Sequence, residues 1–192
     1  MKQLILASGS PRRAKILRDL GVDFEIVKTE AAEVSIPHDP VRTVTTNACA
    51  KLRAYGRAPA LAADTIVWFN NRIYGKPRDL AEAKDFLREL SGQTHVVFTG
   101  IAYVGPSVAQ SPSSPLKSPA PPILTACACS HVTFRSLSPA AIDEYVARVH
   151  PLDRAGAYDI DESGDLIVES YSGSYENIMG LPLEPLRDFG LL

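Results

Sequence analysis

The chain has 192 residues, 45% of them hydrophobic, which is enough for one well-buried domain spanning 1–192. A net charge of -2 argues against a general nucleic-acid binder, which carries a basic excess, but not against a local cluster that binds a small anion. Three cysteines, Cys49, Cys127 and Cys129, are too few for a disulfide framework, and no window approaches the roughly 18 apolar residues of a membrane span, so a cytoplasmic protein without a membrane partner is expected.

Strand-like and helix-like segments alternate, the pattern of an α/β domain. A first strand over Gln3 to Ala7 leads to a helix from Pro11 to Leu20, with Ser10 as N-cap, Pro11 at the first helical position and Gly21 as the stop. The apolar run Leu4 to Ala7 is too short for a secretory signal. The residues after Arg12-Arg13 are too charged for a twin-arginine export signal. A strand over Val22 to Val27 follows. Asp39-Pro40 then opens a helix reaching Tyr55, with Val41, Val44, Ala48 and Leu52 on one face.

Leu61 to Trp68 reads as an apolar strand interrupted by Asp64, with a turn at Asn70-Asn71 and a short strand before Gly75-Lys76-Pro77. Asp79 to Leu90 is a helix stopped near Gly92, and strands follow over His95 to Val104 and Ile123 to Leu137. Ser138-Pro139 opens another helix. Two last strands, Ala157 to Asp161 and Asp165 to Ser172, are expected to meet at a Glu162-Ser163-Gly164 turn, and a short helix after Pro182 ends the chain. Between Gly105 and Pro122 stand six prolines and five serines, a composition that joins no sheet ladder and reads as an elongated loop.

The strand-to-helix junction at Ser8 to Arg13 is the first candidate site. A helix start offers unpaired N–H groups and partial positive charge. Gly9 allows close backbone approach, Ser8 and Ser10 can donate, and Arg12 and Arg13 carry planar forks suited to phosphate. Two arginines in a first turn oppose the helix dipole, and a bound anion would give them a purpose; a capped helix with solvated arginines explains the same residues. Gly75-Lys76 is not a Walker A loop, because Asn70 stands where its first Gly belongs and Pro77 follows the Lys.

Asp64 lies among apolar residues, where a carboxylate must be paired, bound to metal or used. It could hold Mg²⁺ or Mn²⁺ or take a proton from water, and a structural salt bridge is the competing explanation. Glu33 is a second candidate carboxylate, and Lys51 and Lys76 are cations suited to facing a triphosphate. The four histidines are scattered. Cys127 and Cys129 share a strand face and read as buried thiols, not a metal pair.

Together these segments resemble the Maf family of nucleoside triphosphate pyrophosphatases. The matching pieces run in order: Leu6 to Arg13, Ala63 to Val67, Gly75 to Arg78, Leu90 to His95, Val132 to Arg135, Ala155 to Tyr158, and Gly173 to Leu183. The resemblance implies a mixed twisted β-sheet with flanking helices and two lobes around a cleft, related to the inosine triphosphatases. It implies a homodimer, a divalent metal (Mg or Mn), and hydrolysis of a nucleoside triphosphate to monophosphate and pyrophosphate. Carried over by position, Asp64 is the proton acceptor and, with Glu33, the metal-side carboxylate. Ser8, Ser10, Arg12 and Arg13 grip phosphate, and Lys51 and Lys76 line the charged cleft. Arg12, Thr65 and Asp161 fall at specificity positions. Thr65 and Ala157-Tyr158 are similar to the dTTP/UTP subgroup, whereas Asp161 replaces its Gln, so the base stays open between pyrimidine, modified nucleotides and 7-methyl-GTP or another purine. A nucleotide-binding regulator of cell division, without turnover, is the alternative of a different class.

Overall fold

The computed structural model of the chain describes residues 3–106 and 121–192. Most of the Pro/Ser-rich segment, residues 107–120, therefore lies outside the described residues.

The first half builds a parallel unit. Strand β1 (Leu4–Leu6) passes through helix α1 (Pro11–Asp19) to β2 (Phe24–Ile26), and helix α2 (Pro40–Tyr55) returns the chain to β3 (Ala60–Phe69) on the other side of β1. The rest of the sheet is antiparallel: β4 (Arg72–Tyr74) and β5 (Thr94–Val104) flank β3, followed by β6 (Ile123–Phe134) and β7 (Val168–Ser172). The main path is β2-β1-β3-β5-β6-β7, so the α/β class expected from the alternation holds, as does the mixed sheet that the resemblance implies.

Side-chain alternation along β3 sets the layers. Ala60 and Ala62 face α2 through Ala48 and Leu52, while Leu61 and Ala63 pack with Leu6, Ala14 and Leu17 under α1. Leu6, Leu17 and Leu61 are fully buried, each burial stabilising by about 1.5–3 kcal/mol. Further along, Val67 joins a third cluster with residues of α3 (Leu80–Leu90) and α4 (Pro139–Val149).

One glycine determines how closely α2 lies on the sheet. Gly100 on β5 is the cross-strand neighbour of Asp64, and a Cβ there would meet the backbone of Val44 at 2.5 Å. The helix therefore crosses directly over this pair, and Asn47 and Lys51, one and two turns after Val44, arrive at Asp64. A strand position without a side chain thus places two of the groups that hold the central carboxylate.

Two expectations are corrected. Ala157 to Asp161 is not a strand, and Asp165 does not begin one. The segment forms short 3-10 turns at Ala155–Ala157 and Gly164–Leu166, with Ala157 at a left-handed φ of 60°. Its backbone finds another partner: the Asp159 N–H donates to the Tyr145 hydroxyl at 2.8 Å, and that hydroxyl lies 3.1 Å from the Asp159 carbonyl. The satisfied backbone needs no ladder. After β7 the chain forms two helices, α5 (Tyr175–Met179), capped by the Ser174 hydroxyl, and α6 (Leu183–Asp188), of which only the second was expected.

Candidate functional site

A cleft of about 450 Å³ opens where β1 ends and β3 passes under α2. One wall carries Ser8, Ser10, Arg12 and Arg13, the floor Asp64 and Thr65, and the other wall Lys76, Tyr158 and Asp159. Glu33 and Lys51 also line it. Nine of the ten sequence-predicted residues thus share one cavity.

Asp64 is buried and held at both oxygens. Lys51 Nζ stands 2.6 Å from Oδ1, and the Asn47 amide donates to Oδ2 at 2.9 Å. Lys51 also reaches Glu33 at 2.8 Å, so one ammonium bridges two carboxylates. Burial would raise the Glu33 carboxyl, but Lys51, helped by Lys76 and Arg13, holds it below its ordinary range. Asn47 also ties to the backbone of Val34, through its amide at 3.0 Å to the carbonyl and its oxygen at 2.8 Å from the N–H, which fixes the loop carrying Glu33.

The Ser8 to Arg13 junction divides its labour in a way the residues alone did not reveal. Ser10 occupies the N-cap of α1, but its side chain makes no capping bond. The first-turn N–H groups therefore keep their capacity for an anion. Arg13 turns inward and is buried. Its Nη1 donates to Ser8 Oγ at 3.0 Å, Nη2 to Thr65 Oγ1 at 2.9 Å and Nε to the Gly180 carbonyl at 2.8 Å. Burial lowers its pKa to about 10. One fork thus ties the β1–α1 loop, β3 and the end of α5 together. Gly180 has a φ of 100°, and a Cβ there would stand 3.0 Å from Thr65 Oγ1 and 3.3 Å from Arg13 Nε. Thr65 is further bonded to Thr99 at 3.0 Å, so its hydroxyl serves this brace.

Arg12 takes the other course. It lies at the cleft edge with its Nη1 on Asp159 Oδ2 at 3.2 Å. Lys76 and Lys28 line the cleft without a carboxylate partner among the described residues. Asp161 is the tenth residue and does not join the others. Its carboxylate accepts from the Tyr175 hydroxyl at 3.1 Å and lies 3.9 Å from Lys15, outside the cleft lining.

Asn47, Lys28 and Asp159 were not anticipated. Tyr158 was visible as part of a matching segment, but its partner is unexpected: the hydroxyl shares a 2.9 Å hydrogen bond with His95 Nε2. The two rings and Phe134 meet edge to face with centroids 4.8–5.3 Å apart. Burial lowers His95 to about 3 from an ordinary 6.5. The folded protein therefore keeps His95 neutral where the unfolded chain binds a proton, so the contribution of His95 to stability is fully present above pH 6.5 and is lost as pH drops toward 3. His95→Gln should show a flatter dependence of Tm on pH between 6.5 and 4 than the unsubstituted protein. Parallel curves would exclude His95 as the source.

The family profile described as Maf-like protein matches residues 3–189. A dTTP/UTP pyrophosphatase of Bacillus cytotoxicus is 39% identical over 191 residues, covering 97% of this chain and 93% of that protein. A dTTP/UTP pyrophosphatase of Dictyoglomus thermophilum is 37% identical over 192 residues, with the same coverage of 97% and 93%. One of Bacillus cereus is 39% identical, covering 97% of this chain and 87% of its own. With such similarity from end to end, and with five of the seven matching segments lining one cleft, the chain belongs to the Maf-like protein family.

Proposed function

We propose that this cleft hydrolyses a nucleoside triphosphate to the monophosphate and pyrophosphate. The observation that carries the reading is the group at Asp64: a buried carboxylate, oriented by Lys51 and Asn47, facing a cavity that also receives Arg12, Lys28 and Lys76. A carboxylate fixed at both oxygens still has lone pairs for a water proton, and the cations answer the charge of a polyphosphate.

Asp64 takes a proton from a water that attacks the α-phosphorus. The bond from the α-phosphorus to the bridging oxygen breaks, and pyrophosphate leaves with the electron pair. Lys51 holds Asp64 in place, and Arg12, Lys28, Lys76 and the free N–H groups of α1 bind the phosphate oxygens.

The family's divalent cation fits the donors present. Glu33 and Asp64 offer hard carboxylate oxygens, and no group of three or more His, Cys, Asp or Glu able to hold a metal converges among the described residues. Two carboxylates with substrate phosphates completing the shell is a usual arrangement for Mg²⁺. When bound, the ion supplies positive charge at the phosphates and acidifies water.

The relatives named above support dTTP and UTP as substrates. Asp161 stands outside the cleft lining, so its replacement of the expected Gln removes no group from the cavity. The family reading brings with it a homodimer and a cytoplasmic setting. The charge of -2 supports a small nucleotide over a nucleic acid as partner. No helix among the described residues is long and apolar enough to cross a membrane.

Incubation with Mg²⁺ or Mn²⁺ and a panel of dTTP, UTP, 7-methyl-GTP and the other common triphosphates tests the reading. Equal amounts of monophosphate and pyrophosphate are expected, greatest for dTTP and UTP. Orthophosphate alone would refute cleavage between the α and β phosphates, and binding without turnover would favour a sensor.

A further inference from the structure

We infer that Asp159 is a positioning residue, one that sets the Arg12 guanidinium for the phosphates of the substrate. The inference rests on the nucleotide reading of the cleft and adds to it a residue that no motif marks. Asp159 is buried, with its side chain 4% exposed, yet it lies in the cleft wall. It is fixed from three sides. The Tyr145 hydroxyl holds its backbone N–H, the N–H of Asp161 donates to Oδ1 at 2.9 Å, and Arg154 Nε donates to Oδ2 at 2.9 Å. Arg154 is itself held by Asp153 and, at 2.8 Å, by Glu162.

Arg12 is the one loosely held member of this group. Its side chain is 21% exposed, and it reaches Asp159 through Nη1 alone. Its Nε and Nη2 make no hydrogen bond among the described residues. A single charge-assisted bond to a rigid carboxylate thus fixes where the fork lies and leaves its other donors for phosphate oxygens. Asp159 also keeps Arg154 and the Asp161 N–H whatever Arg12 does, so engagement of a phosphate by Arg12 does not strand a buried charge. An arginine on a flexible stem must lose rotamer freedom when it binds, and a preset fork has lost it already.

The test is a double-mutant cycle on binding, which is read whether or not turnover occurs. The dissociation constant of α,β-methylene-dTTP is measured by calorimetry for the unsubstituted protein, Asp159→Asn, Arg12→Ala and the double variant. Asn keeps the shape and can still accept from the Asp161 N–H. Asp159→Asn should weaken binding roughly tenfold, the scale of one charge-assisted hydrogen bond, with Asp159→Glu recovering part of the loss. In the Arg12→Ala background the same change should have an effect of less than about twofold, because the group through which Asp159 acts is gone. An equal loss in both backgrounds would make Asp159 a purely structural residue, and unchanged or tighter binding in Asp159→Asn would also overturn the inference. If the unsubstituted protein binds the analogue but releases no pyrophosphate from dTTP, the catalytic reading fails and the cycle still decides the role of Asp159.

Discussion

Asp64→Asn is expected to lower the rate of pyrophosphate release by about a thousandfold while triphosphate binding is kept and stability falls by roughly 1–3 kcal/mol. An amide fits the same space, but its single oxygen can accept from Lys51 or from the Asn47 amide and not from both, so one of the two contacts becomes donor against donor. It has no useful basicity, and a positioned general base contributes roughly 10²–10⁴ in rate. The ammonium of Lys51 would keep Glu33 as partner at 2.8 Å, so no buried charge is stranded. Stopped-flow detection of pyrophosphate, beside calorimetric binding of the substrate, separates the two effects. A variant with full turnover would remove Asp64 from the chemistry.

Arg13→Met is expected to damage both stability and activity, for a reason that differs from phosphate contact. Its removal leaves Ser8 Oγ, Thr65 Oγ1 and the Gly180 carbonyl without their shared donor. Unsatisfied buried acceptors and lost charge-assisted bonds point to a loss of roughly 2–3 kcal/mol. The β1–α1 loop would also lose its link to β3, next to Asp64, and a fall of at least about a hundredfold in kcat/KM is expected. Arg13→Lys should rescue little, because a point charge cannot serve three acceptors on three elements as a planar fork does. Thermal melting and steady-state kinetics of the two variants check this, and near-normal behaviour of the Lys variant would show that charge alone suffices.

The sequence made some of this legible and hid the rest for identifiable reasons. The start of α2 at Asp39-Pro40 was readable because the signal is local: the Asp39 side chain accepts from the Arg42 N–H at 2.9 Å. The apolar run around Asp64 was readable because a carboxylate there demands a partner. Asn47 carried no such mark. An amide in mid-helix looks ordinary, and its meaning arises only because Gly100, far along the chain, lets α2 settle over Asp64. Arg12 and Arg13 looked equivalent as neighbours in a first turn. The buried set Arg13, Ala14, Ile16 and Leu17 shows what separates them, since Arg13 falls on the stripe that packs inward and Arg12 does not. Asp159 was hidden most completely. Its segment reads as a strand in the sequence, and nothing local announces that the Tyr145 hydroxyl satisfies its backbone instead.

Water attack on the α-phosphorus in this cleft is tested by hydrolysis of dTTP in ¹⁸O-labelled water. Mass spectrometry of the products should find the label in the monophosphate and none in pyrophosphate. Label in pyrophosphate, or in orthophosphate, would place the attack on a different phosphorus and contradict the assignment.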